Sequence, residues 1–112
     1  MRTIMPNKPA TLFPAEQQLL TAFGERLRLA RLRRDLGMAV VAARASISRT
    51  TLQRVEDGSP AVTMGTYLRI LSVLQLADDL NALASDDRLG RKLQDLGLPE
   101  RKRARKREAA SE

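Results

Sequence analysis

Apolar residues recur at intervals of three and four positions along the first third of the chain. They are Leu19 or Leu20, Phe23, Leu27 and Ala30. This spacing places them on one face of an amphipathic helix, which we predict for residues 14–35. Pro14 and Glu16 fit its first turn, because proline pre-sets the backbone there and a carboxylate suits the positive end of the helix dipole. Arginines fill its other faces and are expected to face solvent: Arg26, Arg28, Arg31, Arg33 and Arg34.

Two short segments follow, with a turn between them. Residues 38–44 are apolar and lack a turn residue, which fits either a strand or a short buried helix. Their alanines and their lack of alternation favour the helix. Ser48 is a suitable N-cap for a second helix over residues 49–56. The Asp-Gly-Ser-Pro sequence at residues 57–60 then ends that helix, since glycine commonly caps a helix end and proline does not continue one.

Leucines at helical spacing predict three further helices. The first covers residues 64–74 and has Thr63 as its N-cap. The second covers residues 76–83, and the third is a shorter segment within residues 88–97. The core is expected to be aliphatic, because aromatic residues make up only 3% of the chain. Tyr67 is expected to lie in that core or in a dimer contact rather than to stack on a base.

The length of 112 residues accommodates one domain with tails but not two substantial cores. We predict an all-α protein whose five-helix domain spans residues 14–84. A flexible arm, residues 1–13, precedes this domain, and residues 85–112 form a short helical appendage with a basic tail. The tail is expected to be disordered in isolation because arginine and lysine dominate it.

The charge balance indicates a polyanionic partner. Twenty Lys and Arg residues against thirteen Asp and Glu residues give a net charge of +7 and an isoelectric point near 11.0. Such an excess favours nucleic acid over an anionic membrane. The chain also lacks the apolar run of a signal peptide and the roughly 20 apolar residues of a transmembrane helix, so we expect a cytoplasmic protein without a membrane partner.

The composition excludes several kinds of chemistry. The chain has no Cys and no His, which rules out disulfides, thiolate or imidazole metal sites, and catalysis by a His base or a Cys nucleophile. No acidic cluster suggests a carboxylate metal site, and no glycine loop for phosphate or pair of carboxylates suggests catalysis. We therefore expect neither an enzyme nor a bound cofactor.

Residues 41–58 contain the parts of a helix-turn-helix unit. The small Ala42 allows two helices to approach closely, and Ile47 fills the angle between them from the turn. Leu52 and Val55 anchor the second helix. Its polar residues point outward together, where they can offer hydrogen bonds to base edges in a major groove: Arg49, Thr50, Gln53 and Arg54.

In the order and spacing of these residues the chain resembles the Xre-type regulators, which have the lambda-repressor-like fold. The resemblance runs from Phe23 to about Leu83. Its matching positions are Gly24-Glu25-Arg26-Leu27, Ala30-Arg31, Arg34, Ala42, Ile47-Ser48, Leu52, Val55-Glu56-Asp57-Gly58, Pro60, Thr63, Leu68-Arg69-Ile70-Leu71 and Leu74-Gln75-Leu76. It implies a five-helix domain whose third helix is the recognition helix, and a homodimer that binds a palindromic operator in double-stranded DNA.

The resemblance also implies roles for individual side chains. The residues expected to face bases are Arg49, Thr50 and Arg54. Those expected to contact the DNA backbone are Gln53, Arg44, Thr63, Met64 and Gly65. The last three open a helix, whose N-terminal amides commonly hold a phosphate.

The chain departs from this family at the start of its second helix. A Ser or Thr cap and a phosphate-gripping Gln are usual there, whereas this chain has Gly37 and Met38, followed by Val40 where a polar residue is normal. Either the DNA contact is weaker, or this face packs against something apolar. An alternative function follows: a protein-interaction module that keeps the fold but binds DNA weakly or not at all.

The C-terminal segment indicates a more specific function for a regulator of this type. Residues 87–91 and 98–101 resemble the ends of Xre-type proteins that accompany HipA-like kinases as antitoxins. The resemblance implies a repressor of its own operon that also neutralises such a toxin. The basic tail fits an auxiliary DNA contact best, although a solubilising end or a partner-binding segment has the same composition. We predict a sequence-specific transcriptional regulator, acting as a repressor.

Overall fold

The computed structural model describes residues 11–97, and all regular structure within that range is helical. The elements are α1 (Pro14–Arg33), α2 (Met38–Ala45), α3 (Arg49–Glu56), α4 (Met64–Val73), a 3₁₀ helix (Ala77–Ala82) and α5 (Arg88–Asp95). The all-α prediction is confirmed for this part of the chain. The predicted arm up to residue 10 and the basic tail from residue 98 lie outside the described residues.

The helix α1 begins and ends on local signals. Pro14 is its first residue, and Glu16 Oε1 accepts a hydrogen bond of 3.0 Å from the backbone N–H of Phe13. The helix ends two residues before the predicted position because Asp35 adopts a left-handed conformation, with φ of 56°. An L-residue in that conformation cannot continue a right-handed helix.

The segment from α2 to α3 forms two helices and a tight turn. Residues 38–45 are helical rather than extended, as their alanines predicted. Ser46 ends α2 in the left-handed conformation, with φ of 58°. Ser48 then caps α3, because its Oγ accepts a hydrogen bond of 3.0 Å from Thr51 N. The predicted cap and the predicted bounds of α3 are both confirmed.

The core lies between the first four helices. Its buried apolar residues are Leu27, Ala30, Val41, Ala42, Ala45, Leu52, Val55, Tyr67, Ile70, Leu71 and Leu74. The helix α2 packs against α4 and α3, while α3 also packs against α1. Ile47 and Met38 are partly buried against this core. The mainly aliphatic core and the buried position of Tyr67 agree with the sequence.

The predicted fifth helix over residues 76–83 is wrong in type. This segment is the 3₁₀ helix Ala77–Ala82, which buries none of its residues. Residues 14–84 therefore contain four α-helices and one 3₁₀ helix, and α5 is the sixth helix of the described residues. Gln75 adopts a left-handed φ of 62°, so α4 stops and the chain restarts in the tighter helix. Leu83 follows its end and is exposed.

The first compact unit of the chain reaches Leu80, and a second begins at Asn81 and contains α5. Asp87 caps α5 by accepting a hydrogen bond of 2.8 Å from Gly90 N. None of the residues of α5 is buried. Within residues 11–97, no helix has the length and the apolarity needed to cross a membrane.

Candidate nucleic-acid interface

The helix α3 has one buried face and one exposed face. Leu52 and Val55 are completely buried, and they fix the inward side of the helix. The four residues that the sequence placed on the outward side are all exposed: Arg49, Thr50, Gln53 and Arg54. Because successive residues of an α-helix turn by about 100°, this separation leaves a continuous polar surface along two turns, which has the form of a major-groove reader.

The backbone of α3 lies very close to α1 at Gly24. A Cβ atom on this buried glycine would be 2.5 Å from the carbonyl oxygen of Val55 and 2.6 Å from that of Glu56. Both atoms are backbone atoms that cannot turn aside. Glycine at this position therefore allows the contact between the two helices, and the contact sets the position of the last turn of α3.

A second close contact follows at the end of α3. Gly58 has a φ of 76°, and a Cβ atom there would lie 2.5 Å from Thr21 Cα. Its carbonyl oxygen accepts a hydrogen bond of 2.8 Å from Gln17 Nε2 of α1. Gly58, two residues beyond the end of α3, is thus held against α1, the helix that also contacts the last turn of α3 through Gly24. The outward face of α3 is therefore presented from a fixed support.

A buried ion pair adds a third attachment. Arg31 Nε and Nη2 donate hydrogen bonds of 2.7 and 3.0 Å to the two carboxylate oxygens of Glu56. Arg31 Nη1 donates a further bond of 3.0 Å to the carbonyl oxygen of Leu36. The hydrogen bonding to Glu56 raises the pKa of the Arg31 guanidinium above its usual value, against the opposing effect of burial.

The solvent-facing position predicted for Arg31 is wrong. Only 7% of this residue is exposed. It follows Leu27 by four positions, so it lies on the apolar stripe of α1, and this spacing was the available signal. Pairing with Arg31 also removes Glu56 from the charged surface, which leaves Arg49, Arg54 and Asp57 as the exposed charged residues of α3 and its C-cap.

The region around α2 contains one residue predicted to contact the DNA backbone and the three residues that depart from the family pattern. Arg44 is exposed in the last turn of α2. Gly37 offers no side-chain cap, and Met38 packs partly against the core. Val40 is 41% exposed. Within residues 11–97, an apolar packing partner therefore accounts for Met38 but not for Val40.

The start of α4 contains three other residues that were predicted to contact the DNA backbone. Thr63 Oγ1 accepts a hydrogen bond of 3.2 Å from Thr66 N, which confirms the predicted N-cap. Thr63, Met64 and Gly65 are all exposed. Apart from the adjoining residues and the backbone of α4 itself, the atom nearest to a Cβ atom at Gly65 would be Thr63 Oγ1, at 3.8 Å, so the first turn of α4 is open on this side.

Tyr67 has a structural role. Its ring stacks on Phe23 with a centroid distance of 5.5 Å and an interplanar angle of 20°. Its hydroxyl donates a hydrogen bond of 2.8 Å to the carbonyl oxygen of Ser59. Burial raises the pKa of this phenol. The side chain thus attaches α4 to the loop after α3, and it is not available for stacking on a base.

Comparison with known proteins agrees with this geometry. A protein-family profile described as a helix-turn-helix domain matches residues 22–84, which is more than half of the 112 residues. The matched span includes the whole of α2, α3 and α4 together with the part of α1 that contains Gly24 and Arg31. No curated protein matches the chain. The matched domain indicates a DNA-binding regulator.

Proposed function

The chain belongs to the helix-turn-helix domain family, and we propose that it is a sequence-specific regulator that reads operator DNA with α3. The observation that carries this proposal is the polar, exposed face of a helix whose other face is fully buried. A reading helix has to keep its orientation while its side chains contact bases. The close contact at Gly24 and the Arg31–Glu56 pair provide that rigidity.

The proposed contacts fall into two groups. Arg49, Thr50 and Arg54 contact base edges, since they are exposed on α3 and offer hydrogen bonds to groups in the major groove. Contacts to the DNA backbone come from Arg44 on α2 and from the start of α4, namely Thr63, Met64 and Gly65. Contacts of the second kind position the domain without reading sequence.

The regulator acts in this proposal as a homodimer without catalytic activity, in the cytoplasm, where its DNA lies. Two copies of α3 would enter successive major grooves of a near-palindromic site, about 34 Å apart on one side of the duplex. Occupation of promoter DNA by this dimer would block transcription. The charge of +7 supports the proposal through attraction to phosphates along the duplex.

The proposal is tested with DNA taken from upstream of the chain's own coding sequence. Protection of that DNA from nuclease digestion locates the site, and sedimentation velocity of the complex gives the number of chains bound. We expect two chains on the full site, and fewer transcripts from the promoter in a purified transcription reaction. A single chain on the protected site would contradict the dimer, and unchanged transcription would contradict repression.

A refinement of the proposal is an antitoxin that neutralises a HipA-like kinase encoded in the same operon. The resemblance of residues 87–91 and 98–101 motivates it. The exposed leucines of α5 and its C-cap, Leu89, Leu93 and Leu96, leave an apolar stripe for such a partner. A kinase-like gene beside this one, whose product binds the chain and loses activity, is the expected result. An unrelated neighbouring gene would count against the antitoxin role and leave the regulator intact.

A second candidate is a protein-interaction module that has lost DNA binding. The exposed Val40 and the missing side-chain cap at Gly37 favour it, because both lie where the family usually grips phosphate. This candidate predicts that Arg49→Ala and Arg54→Ala leave function intact. The regulator predicts that the same variants lose operator binding while they remain folded.

A further inference from the structure

Gln53 lies in the middle of the exposed face of α3 and makes one described contact there. Its Nε2 donates a hydrogen bond of 3.1 Å to Asp57 Oδ1, one helical turn along the chain. Both side chains are exposed. We infer that Gln53 reads an adenine in each half of the operator and that Asp57 is the positioning residue that fixes its amide. This inference rests on the function proposed above and names part of its recognition.

The partner of the amide determines which way the amide points. An ionised carboxylate only accepts hydrogen bonds, so the nitrogen of Gln53 must face Asp57 and the oxygen must point elsewhere. One N–H of the amide is then used by Asp57. The other N–H and the oxygen remain for the DNA, as one donor beside one acceptor.

The remaining pair of groups matches one base. Adenine presents the N7 acceptor and the N6 amino donor in the major groove, and a glutamine amide bonds to both at once. Guanine presents two acceptors, N7 and O6, and does not complement an amide whose oxygen points at it. The fixed amide is therefore selective for adenine, whereas a freely turning amide would adapt to more than one base.

The charge beside Gln53 argues against a phosphate as its partner. The resemblance to the Xre-type family implied a backbone contact for this residue. However, a phosphate held by Gln53 would also approach the carboxylate of Asp57, and the repulsion of two like charges would oppose the contact. Base edges carry no net charge, so a carboxylate is tolerated beside them.

Asp57 itself occupies a fixed position. It is the C-cap of α3, and its backbone N–H donates a hydrogen bond of 2.9 Å to the carbonyl oxygen of Gln53. The residues on either side of it, Glu56 and Gly58, are attached to α1 through Arg31 and Gln17. These attachments hold the backbone of Asp57, which keeps its carboxylate one helical turn from Gln53.

The test is a selection from random duplexes by the full-length chain, followed by sequencing of the bound DNA. The wild type is compared with Gln53→Ala, Asp57→Asn and the control Gln18→Ala, which changes an exposed glutamine on α1. We expect a preference for an A·T pair at one position of each half-site in the wild type. Gln53→Ala should lose about 5- to 150-fold of that preference, and Gln18→Ala should retain it.

The variant Asp57→Asn distinguishes a role of Asp57 in positioning the Gln53 amide from a contribution to helix stability alone. Its amide can donate as well as accept, so Gln53 is free to turn, and a negative charge near the DNA is lost. We expect tighter binding to all duplexes together with a weaker preference for adenine. Loss of stability alone would not produce that combination.

Three outcomes would overturn the inference. Preferences unchanged in Gln53→Ala would show that the Gln53–Asp57 contact only stabilises the helix. Uniformly weaker binding of Gln53→Ala to all duplexes, with an unchanged preference at every position, would show a phosphate contact instead. A wild type without any sequence preference would overturn the proposed function as well, so the wild-type selection distinguishes failure of the function from failure of the inference.

Discussion

Arg31 of α1 and Glu56 of α3 form a bidentate ion pair in which only 9% and 4% of the two side chains are exposed. The pair joins the helix that supports the domain to the last turn of the helix proposed to read DNA. Both charges are removed from water, which carries a cost that good geometry and additional hydrogen bonds must offset. The further bond from Arg31 to the carbonyl oxygen of Leu36 supplies one of these.

Loss of one partner of this pair should destabilise the fold strongly. Glu56→Leu leaves the Arg31 guanidinium buried without a counter-ion, and we expect a decrease of about 3–5 kcal/mol in the free energy of unfolding, measured by urea denaturation. The double variant Arg31→Met/Glu56→Leu should recover most of this loss. The control is Glu25→Leu, which breaks the exposed Arg28–Glu25 pair and should cost less than about 1 kcal/mol. Equal effects of the two single variants would contradict the account.

Gly24 should not tolerate even one added methyl group. In Gly24→Ala the new Cβ meets two backbone oxygens, and we expect a net loss of about 1–3 kcal/mol from overpacking, although alanine is the better helix former. Gly65→Ala is the matched control, because its Cβ has space and the helix preference for alanine gives up to about 1 kcal/mol. Thermal or urea unfolding of both variants measures the difference. A Gly24→Ala variant as stable as the wild type would show that α1 and α3 are not in close contact.

Tyr67 should make stability fall in alkaline solution. It is the one tyrosine of a chain without tryptophan, so its phenolate absorbance can be followed directly. Burial raises the pKa of Tyr67 above the ordinary value of 10.0, which means that the folded state holds the phenolic proton more tightly than the unfolded state. This contribution to stability is complete below about pH 10 and is lost as the pH rises through the higher folded-state pKa. Tyr67→Phe should remove this part of the pH dependence, and identical titration curves in buffer and in urea would refute the prediction.

Local signals explain which elements could be predicted from the sequence. Ser48 and Thr63 are capping residues beside their own helices, so the start of α3 and the start of α4 could be located correctly. The outward position of Arg49 and its neighbours likewise follows from the period of a single helix. Each of these properties depends on residues within one or two helical turns of one another, and sequence patterns predict structure well over that separation.

The features that were missed depend on residues distant in sequence or on competition between local structures. Arg31 and Glu56 are separated by 25 positions, and only the packing of α1 on α3 brings them together. The leucines in and beside the 3₁₀ helix Ala77–Ala82, namely Leu76, Leu80 and Leu83, recur at a spacing close to that of an α-helix, so the apolar pattern could not distinguish the two. The hydrogen bond from Gln53 to Asp57 joins residues only four positions apart. However, a role for it in reading DNA can be inferred only once the exposed face of α3 is known.

The most direct test of the central claim is binding of the full-length chain to its own upstream DNA and to a scrambled duplex, measured over a series of salt concentrations. The double variant Arg49→Ala/Arg54→Ala is measured in parallel, with Arg28→Ala as a control of like charge on α1. We predict that the wild type and the Arg28→Ala control strongly prefer the upstream DNA and that this preference persists at moderate salt. The double variant should lose the preference, because base contacts carry sequence information and phosphate contacts do not. Equal binding of the wild type to both duplexes, with steep loss in salt, would contradict the claim that α3 reads DNA sequence.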